Sequence, residues 1–263
     1  MPFARVPRRV IAIAVMSQSG PIDLDAFYSS PSLDVWRQVL GERMHYHHGI
    51  WEADEDWDTA LDNGVLSLAS HVEPGATVVD LGCGWGGPAS VLEEKWGCSV
   101  LGVTVSRAQA SYCAGRGLET RHANLDREIP DGVWAVGWWM ESLEHLERPD
   151  LALARLRPRC NGLVMRVNTC EAESRRLFAG SMPMRPTCYY LDALKSAGWR
   201  VTYVANRRSA SLRSPFEWLA RLEAAGVVGS DNPHLRALWD YSMFFTTKPF
   251  MYGTFPLMDI VAE

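Results

Sequence analysis

The sequence lacks the features that would place the protein in a membrane, in an oxidising compartment or on nucleic acid. No apolar run approaches the roughly 20 residues that a membrane-spanning helix needs. The six cysteines include no Cys-x-x-Cys pair and no spacing typical of metal ligands, which indicates free thiols in a reducing cytoplasm. The net charge of −5 leaves no basic excess for phosphates. These absences predict a cytoplasmic protein that binds neither membrane nor nucleic acid.

The N-terminal segment begins like a signal peptide but does not end like one. Arg5, Arg8 and Arg9 precede a short apolar stretch at 10–16, and no small-x-small cleavage site follows. We therefore expect residues 1–20 to form a loose arm.

Short apolar runs alternate with helical patterns through most of the chain. Strands are expected at 76–81, 99–105, 119–124, 133–139, 162–167, 199–204 and 252–261. Helices are expected at 32–41, 59–71, 88–96, 106–115, 150–156, 188–197 and 214–225, the last opened by a capping box at 214–217. The alternation predicts a Rossmann-like, doubly wound α/β fold with a mainly parallel, seven-stranded sheet.

A glycine-rich turn follows the first expected strand. Gly82, Gly84 and Gly87 fit the G-x-G-x-x-G pattern between a strand and a helix, where backbone approaches a ligand closely. Asp80 stands directly before these glycines. A carboxylate at this place suits the ammonium group of a methionine moiety and repels a pyrophosphate.

The end of the second expected strand also argues against a dinucleotide. An NAD-dependent enzyme is expected to carry an acidic residue there for the ribose hydroxyls. This chain has Thr104, Ser106 and Gln109 instead. An NAD-dependent oxidoreductase is therefore the weaker interpretation of the glycine turn.

The stretch 79–87, together with 102–109, resembles one branch of the class I S-adenosylmethionine-dependent methyltransferases. That branch includes cyclopropane fatty acid synthases, tocopherol, sterol and sugar methyltransferases, and geranyl diphosphate C-methyltransferases. The resemblance runs from about Phe27 to about Val167. It implies S-adenosylmethionine as cofactor and methyl transfer to a small-molecule, natural-product acceptor. C-methylation of a prenyl diphosphate or a lipid alkene is an alternative within the same branch.

The resemblance also implies a set of cofactor contacts. The methionine end is lined by Asp80, Gly82, Cys83 and Gly84. The ribose is contacted by Thr104 and Gln109. The adenine contact falls on either Asn124 or Asp126, because Asn124 stands where the group has an aspartate. Tyr28 is either a further cofactor contact or a core residue.

The candidate catalytic residues follow the fourth expected strand. Glu141 and His145 are four residues apart, so a helical turn would place them on one face. His145 is the expected general base, since the pKa of a histidine lies near working pH. Glu141, Tyr46 and His48 are the alternative bases. Arg166, Arg175 and Arg176 could hold an anionic acceptor group, although surface arginines are more often solvated.

The histidines and tryptophans allow two readings each. His45, His47 and His48 lack an acidic or cysteine partner at metal-ligand spacing, so we expect no metal. Trp85, Trp138 and Trp139 either pack in the core or lie near the cofactor, where aromatic rings attract a sulfonium.

The expected organisation is a single domain over 21–263. Residues 21–72 form N-terminal cap helices, 73–170 form the cofactor-binding core, and 171–263 complete the sheet and add a helical lid at about 211–245. A homodimer is compatible with this organisation.

Overall fold

The computed structural model describes residues 23–171, 176–177, 182–247 and 253–263. The expected arm at 1–20 lies outside these residues. The strands are β1 (Thr77–Leu81), β2 (Ser99–Thr104), β3 (Thr120–His122), β4 (Trp134–Met140), β5 (Cys160–Asn168), β6 (Arg176–Leu177), β7 (Met182–Pro183), β8 (Val201–Asn206) and β9 (Leu257–Ala262). The helices are α1 (Leu24–Ser29), α2 (Leu33–Leu40), α3 (Trp57–Ala69), α4 (Gly87–Trp96), α5 (Arg107–Gly115), α6 (Pro149–Leu156), α7 (Thr187–Ser196), α8 (Ser214–Ala224) and α9 (Pro233–Thr247).

Seven strands form one sheet in the order β3-β2-β1-β4-β5-β9-β8. Strands β1 to β5 pair in parallel, while β9 runs antiparallel to both of its neighbours. The strand order reverses between β1 and β4, and ligands of open α/β sheets bind outside the carboxyl ends of the strands at such a reversal. The predicted Rossmann-like fold class is confirmed.

Apolar residues on both sides of the central strands explain why these segments fold as buried strands. Along β1, Val78 packs into the cluster under α3 and α4, whereas Val79 and Leu81 pack into the cluster under α6 and α7. Alternate side chains of a strand point to opposite faces, so a strand covered on both faces becomes a continuous apolar run.

A third apolar cluster joins the N-terminal helices to the helices that precede β9. It contains Trp36 of α2, Trp218 of α8 and Phe245 of α9, and it reaches Trp85 in the glycine turn. The N-terminal and lid helices therefore form one packed cap, which lies over the carboxyl ends of the strands.

Two features of the cap region differ from the sequence prediction. The capping box at 214–217 is wrong, because Arg213 precedes the first turn of α8 and no side chain caps it. The Ser214 hydroxyl instead accepts a hydrogen bond from the Gly49 N–H at 2.9 Å, which fastens α8 to the loop before α3. The short antiparallel pair β6–β7 was not predicted, because two-residue strands carry no periodicity.

Candidate active site

A cavity opens at the carboxyl ends of β1, β2, β4 and β5, underneath the cap. Counting its open mouth, the cavity holds about 1170 Å³ of empty space. Its sheet side is lined by Gly82, Cys83, Gly84, Thr104, Gln109, Asn124, Glu141, Ser142, His145 and Asn168. Its cap side is lined by Tyr28, Tyr46, His47, His48, Met182, Trp218, Leu238 and Tyr241.

The glycines of the turn are required for two different reasons. Gly82 has φ +83°, and a Cβ there would lie 2.4 Å from the Ser142 hydroxyl, which donates to the Leu81 carbonyl at 2.7 Å. Gly84 has φ +55°, and a Cβ there would meet nothing within 4 Å, because Gly84 faces the cavity. A side chain at 82 would push the wall apart, whereas one at 84 would strain the backbone and enter the ligand space.

Asp80, near the end of β1, is a buried carboxylate for which the described residues supply no ion pair. It is 1% exposed, and its Oδ2 has no hydrogen-bond partner among the described residues. Burial raises the pKa of Asp80 to about 7. A buried acid is costly to ionise until a cation or donor reaches it. Asp80 is not among the described residues that line the cavity, but it directly precedes the Gly82–Gly84 turn that does, so it fits a ligand that brings a positive group to that turn.

The next two strands supply polar side chains of the kind that recognise a nucleoside. Thr104 donates to the Gln109 Oε1 at 2.7 Å, and both side chains line the cavity. Asn124 also lines the cavity, and its Oδ1 accepts from the Asp126 N–H. Asp126 itself turns away and accepts from the Arg148 N–H at 3.1 Å. Of the two candidates after β3, the structure brings Asn124 to the cavity.

Glu141 and His145 both line the cavity, but the predicted helical turn between them is wrong. Glu141 has φ +51°, an uncommon conformation for a residue with a side chain, and only Leu143–His145 form a 3-10 turn. The Glu141 carboxylate accepts from the His48 N–H at 3.0 Å and from its Nδ1 at 2.5 Å. Burial pushes the pKa of Glu141 upward, but His48, His47 and Arg166 together outweigh burial and lower the pKa to about 2.

His48 lies in the cavity wall but is badly placed to take a proton. Its Nε2 lies 3.1 Å from the Arg208 Nη1 and 3.2 Å from the Tyr241 hydroxyl. A guanidinium can only donate, so Nε2 accepts and the proton of the neutral ring sits on Nδ1, facing Glu141. Burial also lowers the pKa of His48. The geometry opposes His48 as the base.

Tyr46 is equally unsuited to that role. Its hydroxyl is 3.0 Å from the His234 Nε2, and the other ring nitrogen, Nδ1, is 3.1 Å from the Phe27 carbonyl. Since a carbonyl only accepts, the proton is on Nδ1 and Tyr46 donates to Nε2. Burial raises the pKa of Tyr46 well above 10. Tyr46 is therefore a protonated donor.

Glu141 is a weak base because its pKa is lowered to about 2, so His145 is the remaining candidate. Its Nδ1 lies 3.2 Å from the hydroxyl of Tyr28, which α1 brings to the cavity. Burial raises the pKa of Tyr28, so this hydroxyl stays protonated. Tyr28 can therefore hold the orientation of the His145 ring.

Sequence reasoning missed three residues that organise this wall. Asn168, at the end of β5, donates from Nδ2 to the Glu144 Oε1 at 2.7 Å and to the Glu141 Oε2 at 3.3 Å, and it accepts from the Arg208 Nη2 at 2.7 Å. The position of Asn168 at a strand's carboxyl end was a usable signal. Arg208 and Tyr241 come from distant segments and carry no sequence signal for this role.

Other candidates serve the core. Arg166 is fully buried and binds Asp259 through Nε at 2.6 Å and Nη2 at 2.8 Å, so it does not hold an acceptor. Arg175 and the side chain of Arg176 lie outside the described residues. Trp138 and Trp139 are fully buried in the two apolar clusters beside the sheet, whereas Trp85 lines the cavity.

The histidine segment forms a structural chain. His45 Nε2 lies 3.0 Å from Asp62 Oδ1, and His47 bridges His45 Nδ1 and the His48 carbonyl. Within the described ranges, no group of three histidine, cysteine, aspartate or glutamate side chains is arranged to hold a metal ion. In the same parts of the chain, no helix combines the length and apolarity needed to cross a bilayer.

Comparison with known proteins agrees with this geometry. Residues 24–130 match the family model described as mycolic acid cyclopropane synthetase. A probable tocopherol O-methyltransferase of Oryza sativa subsp. japonica is 34% identical over 44% of this chain and 37% of its own length. The S-adenosylmethionine-dependent methyltransferase UmaA of Mycobacterium tuberculosis is 43% identical over 38% of this chain and 34% of its own length. The chain thus spans little more than a third of these relatives.

Solved structures share the fold over nearly the whole chain. Coclaurine N-methyltransferase matches with a TM-score of 0.76 and 17% identity, covering 91% of this chain and 81% of that one. The [4+2]-cyclase SpnF matches with a TM-score of 0.74 and 18% identity, covering 90% and 92%. Together these similarities confirm the predicted resemblance to the S-adenosylmethionine-dependent methyltransferases of this branch. Because a cyclase shares the fold, the activity has to be argued from the site.

Proposed function

We propose that this chain is an S-adenosylmethionine-dependent methyltransferase that acts on a small-molecule acceptor. The observation that carries the proposal is the unpartnered, buried Asp80 carboxylate beside the left-handed Gly82–Gly84 turn. A dinucleotide would bring a pyrophosphate to this carboxylate, which argues against the NAD-dependent oxidoreductase. The ammonium group of S-adenosylmethionine would supply the missing cation. Gln109 and Asn124 would hold the nucleoside end, and Tyr28 is a further candidate contact.

When bound, the cofactor supplies an electrophilic methyl group on a sulfonium. The chain's own task is to position the acceptor in line with that methyl group and to remove a proton. His145 accepts the proton, and the Tyr28 hydroxyl orients its ring. Glu141 and Asn168 fix another part of the cavity wall through His48 and Arg208. Because these groups are already hydrogen-bonded, the wall is set before the acceptor arrives.

The cap helices would act as the lid that excludes water. Trp218 of α8, Tyr241 of α9 and Tyr28 of α1 all line the cavity. The Ser214–Gly49 hydrogen bond links α8 to the loop that carries Tyr46 and His48. The lid would thus extend beyond 211–245 to include this loop and α1.

The acceptor is proposed to be a natural product of secondary metabolism, methylated in the cytoplasm. All six cysteines are unpaired, which is usual in a reducing compartment. The description of the matching family model favours one alternative, C-methylation of a lipid alkene. A prenyl diphosphate would need cations for its phosphates, and no lysine or arginine is among the described residues that line the cavity.

Titration calorimetry tests the cofactor. S-adenosylmethionine and S-adenosylhomocysteine should both bind, and NAD should not bind comparably. Asp80→Asn should weaken both by tenfold or more, because the amide keeps the shape and removes the charge. The matched control is Asp54→Asn, since the Asp54 side chain is fully exposed (99%) and remote from the cavity. Tight NAD binding without a response to the methyl donor would overturn the proposal.

A further inference from the structure

The wall that follows β4 carries two acidic side chains around one amide. The Asn168 Nδ2 donates to the Glu141 Oε2 at 3.3 Å and to the Glu144 Oε1 at 2.7 Å. One amide nitrogen therefore holds two carboxylates within a few ångströms of each other. The Glu144 Oε2 is buried and has no partner among the described residues. Glu141 is ionised at neutral pH, and burial raises the pKa of Glu144 to about 7, so a cation that reaches this wall would favour the ionised form of both acids.

The nearby cations are set back from the cavity and already bonded. Arg208 donates to the Phe255 carbonyl at 2.7 Å, to Asn168 and to His48, and it is 4% exposed. Arg166 is engaged by Asp259 and the Gly64 carbonyl. Neither arginine is among the described residues that line the cavity, whereas Glu141 is. A ligand in the cavity therefore meets the carboxylate before it meets either guanidinium.

Aromatic rings form much of the remaining wall. Trp85, Trp218, Tyr28, Tyr46 and Tyr241 all line the cavity. The face of an aromatic ring attracts a cation, by about 0.5–2 kcal/mol per well-placed contact. Rings facing a carboxylate wall are a known means of holding an ammonium group, and they give nothing to an anion. The carboxylates and the aromatic rings therefore both favour a positively charged ligand.

We propose that the acceptor is a small amine with an apolar body, held by the aromatic rings with its nitrogen toward Glu141 and His145. This inference rests on the proposed methyltransferase function. The ammonium first loses one N–H proton to His145. The nitrogen lone pair then forms the N–CH3 bond while the C–S bond breaks, and the bond's electron pair stays on sulfur. The product is the methylated ammonium and neutral S-adenosylhomocysteine.

Three unreactive probes of nearly the same shape test the charge preference. Phenyltrimethylammonium is cationic, tert-butylbenzene is its neutral isostere, and phenylphosphonate is anionic. Calorimetry on the chain saturated with S-adenosylhomocysteine should show the cation binding at least tenfold tighter than the neutral probe, with no measurable binding of the phosphonate. Glu141→Gln and Glu144→Gln should each bring the ratio of cation to neutral affinity closer to one. Glu223→Gln, on the exposed side of α8, is the matched control and should leave the ratio unchanged.

The outcomes separate this inference from the function on which it rests. If S-adenosylhomocysteine binds but the neutral probe or the phosphonate is preferred, the amine inference fails and the methyltransferase proposal stands. The same holds if the cation shows no preference, or if its preference survives both glutamate substitutions. If S-adenosylhomocysteine does not bind, the proposed function fails and the inference fails with it. The melting temperature of each variant verifies that it is folded.

Discussion

The two halves of the cavity are built in opposite ways. The half at β1 to β3 is assembled from short stretches of chain, and it leaves the Asp80 Oδ2 unpartnered among the described residues. The half at β4 and β5 is assembled across the whole chain: His48, Asn168, Arg208 and Tyr241 meet in one hydrogen-bonded network. The buried Asp80 carboxylate in the first half gains a partner only when a ligand with a positive group binds. The network at β4 and β5 leaves one carboxylate oxygen, the Glu144 Oε2, without a partner among the described residues, and its other groups fix the geometry before a ligand binds. The first half suits binding, and the second suits catalysis.

The largest expected effect comes from breaking the network. Arg208→Met removes a buried cation, takes the Arg208 donor from the Phe255 carbonyl and leaves the Asn168 amide oxygen with only the longer contact from the Tyr241 hydroxyl at 3.5 Å. A buried acceptor that loses its donor costs about 1–3 kcal/mol, and several contacts are lost here, so the free energy of unfolding in urea should fall by about 2 kcal/mol or more. Arg213→Met is the control, because Arg213 is 45% exposed and pairs with an exposed aspartate. It should cost less than about 1 kcal/mol. If both substitutions lowered the free energy of unfolding equally, the structural importance of the Arg208 network would be contradicted.

In the half of the cavity at β1 to β3, removing the buried charged group should raise the free energy of unfolding instead of lowering it. Asp80→Asn removes a carboxylate whose ionisation burial opposes, so the ligand-free chain should gain stability near pH 7.5 while losing cofactor affinity. Urea unfolding with and without S-adenosylhomocysteine measures both quantities. A loss of stability in the ligand-free variant would show that Asp80 has a structural partner.

The same contrast explains what the sequence could predict. Asp80, Gly82 and Gly84 lie within one short motif, so local pattern and backbone physics were sufficient to select them as candidates. The strand ends were predictable because apolar runs mark the strands. Asn124, Glu141 and His145 follow such ends, which made them candidate site residues. Helical spacing failed for Glu141, because its positive φ turns the chain before the 3-10 turn begins. Arg208 and Tyr241 enter through packing of the cap, which no local pattern encodes.

Replacing the proposed base, His145, tests the catalytic role of the half at β4 and β5. His145→Ala should lower kcat by about a hundredfold or more and leave S-adenosylhomocysteine affinity nearly unchanged, since the proton transfer matters only in the transition state. Tyr28→Phe should cost less, because it removes only the hydroxyl that orients the ring. The pH–rate profiles provide the check. If an acidic limb near pH 6–7 survives His145→Ala unchanged, the proton goes elsewhere.

The smallest expected effect is a pH dependence of cofactor binding. Burial raises the pKa of Asp80 to about 7 in the ligand-free chain. A carboxyl whose folded pKa is raised holds its proton after the unfolded chain has lost it. This contribution to stability therefore falls as pH rises from about 4 to about 7. Binding an ammonium requires the ionised form, which is about a tenth of the population at pH 6 and about three quarters at pH 7.5. The affinity for S-adenosylhomocysteine should thus rise roughly eightfold between these values.

Calorimetry in two buffers of different ionisation enthalpy should show about one proton released on binding at pH 6. Glu144 is the group most able to mimic this signal, since burial raises its pKa to about 7 as well. The two are separable by substitution. Glu144→Gln should retain both the rise in affinity and the proton release, whereas Asp80→Asn should lose both. If Glu144→Gln abolishes the proton release, then cofactor binding changes the protonation of Glu144 in the wall after β4. The division of the cavity into a binding half and a catalytic half would then be wrong.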